Sequence, residues 1–117
     1  MSEKKNVLKD KSFSFAIRII NLYKYLTAKS EYVLSKQLLR SGTAVGALVR
    51  ESQNAESKAD FVHKLAVAQK KCDESIYWIE LLSHTDYLTF TEYESINNEA
   101  TEILKIIRSI IITAKNK

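Results

Sequence analysis

The chain has 117 residues, 45% of them hydrophobic and 27% charged, which is the balance of one soluble globular domain with enough length for a real core. Its net charge of +4 and pI near 9.1 suit an anionic partner such as RNA without requiring one. No apolar run reaches the roughly 18 residues that cross a bilayer. The nearest approach, residues 106–112, is broken by Arg108 and preceded by Lys105.

The opening MSEKKNVLKDK is charged and leads into no apolar block with a cleavage site, which argues against a signal peptide. One cysteine, Cys72, excludes an intramolecular disulfide and gives no basis for a cysteine zinc site. A reducing cytoplasm is the expected compartment. The reading places a charged, flexible tail over residues 1–11 and a single helical domain over residues 12–115.

Helix is favoured throughout, because the chain has no proline, two glycines and many Ala, Leu, Ile, Lys and Glu residues. The first predicted helix runs from about residue 12 to 28. Ser12 would cap it, and Phe13, Ala16, Ile20 and Tyr23 carry its apolar stripe beside Ile19 and Leu26. Ser30 would cap the second, whose seam of Leu34, Leu38, Ser41, Val45 and Leu48 alternates steps of four and three. Ser57 with Asp60 resembles a capping box for the third helix, with its seam at Phe61, Leu65, Ala68, Cys72, Ser75, Ile79 and Leu82. Thr89 with Glu92, or Thr91 with Glu94, would start the fourth, with Ile96, Ala100, Ile103, Ile107, Ile110 and Ala114 inside. The connections are only a few residues long, so consecutive helices should lie antiparallel in an all-α, up-down-up-down four-helix bundle.

Both glycines fall mid-helix, within the stretch RSGTAVGALVRES. Each costs about 0.5–1 kcal/mol relative to alanine, so the close approach of another helix must offset them. Gly42 and Gly46 lie one turn apart beside the second seam. Tight packing inside one bundle and contact with a second subunit both fit that placement. The fourth helix is apolar around nearly half its circumference, including Leu104 and Ile111, and the third carries Trp78 and Leu81 beside its seam. Such width exceeds the needs of one small core and points to self-association.

Catalytic chemistry finds little support. Asp60 and His63 have an i, i+3 spacing used in carboxylate-bridged metal sites, but the second such motif and the inward glutamates are lacking. No phosphate loop or nucleophile elbow is present. The expectation is a non-enzymatic protein with no metal and no cofactor. Basic residues are the stronger signal: Lys36, Arg40, Arg50, Lys58, Lys64, Lys70 and Lys71 gather in the second helix and the first half of the third. Acids take over later, at Asp73, Glu74, Glu80 and Asp86. A shared positive face would contact phosphates in a salt-dependent way, whereas a solvated face with i, i+4 pairs would not.

Residues 32–82 carry a further signal: Arg40, Ser41, Gly42, Thr43, Gly46, Ala47 and Glu51, then Ser57, Lys58, Asp60 and Phe61, then Glu74, Trp78, Leu81 and Leu82. This pattern resembles the four-helix-bundle family of the bacterial 23S rRNA intervening sequences. It departs from that family at Ala44, Leu48 and Ser52, where the family has serine, asparagine and alanine. The resemblance implies a single bundle assembling as a homopentameric ring. It also implies a link to structured RNA or, through accessory proteins of diversity-generating retroelements, to a reverse transcriptase. No catalytic residue carries over. An oligomeric scaffold with no nucleic-acid affinity is the alternative.

Overall fold

Four helix starts set the frame, and each is built from a different local device. The computed structural model describes residues 6–116, in which the helices are α1 (Val7–Ala28), α2 (Leu34–Ser52), α3 (Lys58–His84) and α4 (Phe90–Lys115). Asn6 caps α1 by accepting the Lys9 N–H at 3.0 Å. Residues 7–11, read from sequence as a flexible tail, are therefore the first turn of the helix, and Leu8 is buried in the core. Residues 1–5 of that expected tail lie outside the described residues. Ser12, the expected cap, is buried inside α1 and donates to the Lys9 carbonyl.

Ser30 does not cap α2 either. It takes the left-handed conformation (φ 66°) that turns the chain out of α1. The Glu31 carboxylate does the capping, accepting the N–H groups of Val33, Leu34 and Ser35 at 3.2, 2.9 and 2.6 Å. Glu31 is only 6% exposed, and these charge-assisted bonds at the positive end of α2 offset the cost of burying its charge. At α3, Ser57 accepts the Asp60 N–H as expected, but Asp60 reaches back to the Glu56 N–H, one residue earlier than in a regular box. Thr89 and Glu92 form a full reciprocal box at α4. The Thr89 backbone N–H and then the Tyr25 hydroxyl hold Glu92 below the ordinary carboxylate range. This contribution is present at neutral pH and fades as acid protonates the carboxylate.

The apolar seams then close the bundle. Consecutive helices pack together and α4 closes on α1, while among the described residues the diagonal pairs α1/α3 and α2/α4 stand farther apart, with no Cα atoms within 8 Å of one another. An antiparallel up-down-up-down bundle results, 46 Å long and 24 by 21 Å across. The expected seams of α2, α3 and α4 all point inward. That of α1 is rotated: Leu8, Ser12, Phe15, Ile19 and Leu26 are buried, whereas Phe13 and Ile20 are 55% and 40% exposed. Leu104 and Ile111 are buried within the bundle, with Ile106 and Ile110 packed against the same core. Most of the wide arc of α4 is thus spent internally, contrary to its expected role in self-association, and Ile112 is the member left 61% exposed. No helix among the described residues is long and apolar enough to cross a membrane.

Each helix contact has its own character. Between α2 and α3 the buried hydroxyls of Ser41 and Ser75 are hydrogen-bonded at 2.9 Å. The Cys72 thiol of α3 donates to the Ala100 carbonyl of α4 at 3.3 Å. Between α1 and α4 the outer rim is polar, with Arg18 on Glu99 at 2.7 Å and on Ser95 at 3.1 Å, and Lys11 on Glu102 at 3.2 Å. The α1/α2 contact is close at the two glycines. A Cβ on Gly42 would fall 2.7 Å from Cγ1 and 2.9 Å from Cγ2 of Ile19, and one on Gly46 would fall 3.1 Å from the Ser12 carbonyl oxygen. Both glycines therefore serve packing inside the bundle.

Alanine at position 42 would gain about 1 kcal/mol of helix propensity but lose about 1–3 kcal/mol to overpacking. Thermal denaturation should show Gly42→Ala less stable than the native protein. In an Ile19→Ala background the same change should become stabilising, because its obstacle is gone. A stabilising Gly42→Ala in both backgrounds would contradict the close contact.

Candidate functional site

The seven basic candidates do not form one uninterrupted positive face. On α2, Lys36, Arg40 and Arg50 are exposed, and the Arg50 guanidinium sits 5.9 Å from the centre of the Phe13 ring. On α3, Lys64 is half-buried and pairs with Glu51 at 3.4 Å, while Lys71 is half-buried and pairs with Glu74 at 3.8 Å. Lys58 and Lys70 are exposed. Among the described residues, Lys36, Arg40 and Lys70 have no ion-pair partner. Two acids thus interrupt the basic cluster, and the least encumbered charges are at the flanks.

The packing candidates separate in the same way. Gly42 and Gly46 face α1, and Leu104 and Ile111 belong to the core. Trp78 and Leu81 are half-buried. The Trp78 indole N–H donates to Glu74 at 3.1 Å, and its ring meets that of exposed Tyr77 at 5.1 Å. Trp78 packs against the core on its inner side, so this pair is only partly exposed.

A second apolar surface lies where the sequence reading put core. Phe13, Ile17 and Ile20 are 55%, 47% and 40% exposed, and their spacing of four and three sets them in one line on the outer side of α1. Beside that line an open groove of about 400 Å³ runs between α1 and α2, with Ala16, Thr43, Ala47 and Arg50 in its walls. Starting α1 at Asn6 brings Leu8 into the pattern and reveals two parallel stripes. That earlier start was the available signal.

The titratable residues are arranged for structure. The Asp60 carboxylate is taken by the Glu56 N–H, His63 and His84 are exposed, and no group of three potential metal ligands occurs among the described residues. Burial, reinforced by nearby Asp73, pushes the Cys72 thiol from 9.0 up to about 12. It is a packed side chain and not a thiolate nucleophile.

These features define an all-α bundle whose distinctive surfaces are helix faces. The family described as 23S rRNA-intervening sequence protein matches residues 4–109. A similar solved structure comes from Bacteroides thetaiotaomicron VPI-5482, a protein of unknown function from the S23 ribosomal protein family. It is 55% identical, covers 89% of this chain and 97% of its own, and superimposes with a TM-score of 0.88. No curated protein matches the chain. The chain belongs to the 23S rRNA-intervening sequence protein family.

Cys72 should resist a water-soluble thiol reagent at pH 8 in the folded protein and react at once in denaturant. Rapid labelling without denaturant would contradict its burial. Because the folded-state value is raised, Cys72 contributes to stability below about pH 9 and loses that contribution as the pH climbs toward 12. Cys72→Ala should therefore flatten the alkaline loss of stability in chemical denaturation, and an unchanged profile would count against the shift.

Proposed function

We propose that this protein is a non-enzymatic homo-oligomeric bundle that holds RNA, or an RNA-handling enzyme, against basic residues repeated around the assembly. The observation that carries the assembly half is the line of Phe13, Ile17 and Ile20, three large apolar side chains exposed in a row. Contiguous apolar surface of this kind is characteristic of protein contacts. The pentameric ring implied by the sequence resemblance is the form this reading adopts.

Support for the polyanion half comes from the net charge of +4, the unpaired bases Lys36 and Lys70, and the family's association with rRNA genes. Each phosphate contact releases counterions, so affinity should fall steeply with salt. Repetition by symmetry raises weak single-site binding through avidity. Lys64 and Lys71 contribute less, because Glu51 and Glu74 already neutralise them.

Sedimentation at micromolar concentration should give a mass near five protomers. A structured RNA fragment should bind at low salt, and Lys36→Glu with Lys70→Glu should weaken binding and flatten the salt dependence at unchanged oligomer mass. A monomeric native protein would overturn the assembly half. Assembly with no RNA binding at low salt, or with identical salt slopes for both proteins, would leave a scaffold without nucleic-acid affinity.

A further inference from the structure

The basic cluster of α2 and α3 is not the whole of the free positive charge, because α4 ends in a run of its own. Residues 103–117 read ILKIIRSIIITAKNK and contain no aspartate or glutamate. Lys105, Arg108, Ile112 and Lys115 follow one another at steps of three, four and three, which sets them in one line on α4, opposite the buried Ile103 and Ile107. All four are exposed. The helical rise makes the line roughly 15 Å long. Among the described residues none of its three cations has an ion-pair partner, whereas Lys11, Arg18, Lys64 and Lys71 are paired with acids on the rims. The preceding acids of α4, Glu99 and Glu102, sit with Asp10 at the groove toward α1, where Arg18 and Lys11 already hold the two glutamates. On α3, Asp73 follows Cys72, which Arg108 also approaches, but no ion pair joins Asp73 to Arg108.

The whole bundle leans the same way. Its antiparallel order brings the start of α1, the end of α2, the start of α3 and the end of α4 to one end. Over residues 6–17, 44–70 and 103–116, that half carries nine lysines and arginines against four aspartates and glutamates, while residues 18–43 and 71–102 carry six against nine. The helix dipole favours a cation in the last turn, which accounts for Lys115, but its effect fades within that turn and does not reach Lys105 or Arg108. Like charges one turn apart weaken a helix, so a line that served solubility alone would mix its signs. We infer that Lys105, Arg108 and Lys115 form a phosphate-binding stripe that lies along the backbone of an RNA strand without reading its sequence. This inference rests on the polyanion half of the functional reading and gives it a contact surface apart from Lys36 and Lys70. The Arg108 guanidinium can grip two oxygens of one phosphate, and the flexible lysines on either side can reach its neighbours. Counterions released from the strand then reward each contact. A membrane surface fits less well, because insertion needs a broad apolar face beside the bases and Ile112 is the one apolar side chain in the line.

Charge reversal at one exposed position at a time tests the stripe in the full chain. Lys105→Glu and Arg108→Glu lower the net charge by the same amount as Lys24→Glu, whose site is exposed in the acid-rich half. The probes are a labelled RNA hairpin and a labelled oligouridylate, titrated with salt once circular dichroism and sedimentation have shown native helicity and mass. Each α4 variant should bind both RNAs roughly fivefold more weakly at low salt, with the salt slope reduced by about one, while Lys24→Glu stays near native. Equal weakening by all three variants would show a response to net charge alone and overturn the stripe. Native affinity in both α4 variants would also overturn it, leaving the polyanion reading to Lys36 and Lys70. A native protein that binds neither RNA at low salt would overturn both, and its binding to phosphatidylserine vesicles would then assign the stripe to a membrane surface.

Discussion

The approach of α1 onto the two glycines of α2 is the contact on which the remainder depends. Gly42 and Gly46 have no side chain to hold the helices apart, so Ile19 and the Ser12 carbonyl settle almost onto the α2 backbone. At that separation α1 has one rotation that places Leu8, Phe15, Ile19 and Leu26 in the core. The opposite side of the helix is fixed by the same choice. It carries Phe13, Ile17 and Ile20, which a looser contact could have shared with the core. The mid-helix glycines thus relate directly to surface chemistry, because the interior requirement of α2 determines which side chains α1 presents outside.

The remaining interior leaves little for chemistry to use. Its polar atoms are largely committed: Ser41 to Ser75, Cys72 to Ala100, and Glu31 to three backbone N–H groups. Each of these removes an otherwise unsatisfied group and helps set how neighbouring elements align. Functional interpretation therefore turns to helix faces, where apolar side chains and unpaired charges stand in solvent. The same physics that makes a charged rim inexpensive in water makes it selective at a contact, since mismatched charges lose hydration without gaining a partner.

Much of this was legible in the sequence, and the exceptions have physical causes. The seams of α2, α3 and α4 are unambiguous because each helix has one dominant line of small and branched residues. In α1 two apolar lines compete, and a start placed at Ser12 left out Leu8, the residue that fixes the phase. Glu31 is not legible as a cap, because a glutamate three residues before a helix reads as ordinary surface. Only its folded position shows the carboxylate turned onto the α2 terminus. The basic residues are legible along the chain, but their interruption is not. Glu51 lies 13 positions before Lys64, and only the antiparallel return of α3 brings them together. The width of the α4 arc does not by itself mark an outer surface, since Leu104 and Ile111 are used by a core that receives side chains from all four helices.

The central claim is that Ile17 points away from the core and is covered only when copies meet. Cysteine at position 17 tests this directly, because the native Cys72 is buried and contributes little background. The account predicts that an Ile17→Cys protein reacts quickly with a thiol reagent when dilute, and progressively more slowly as its concentration rises through assembly. Equal rates at every concentration would show that nothing covers the stripe. Resistance persisting at the lowest dilution would show that position 17 faces inward and that the rotation assigned to α1 is wrong.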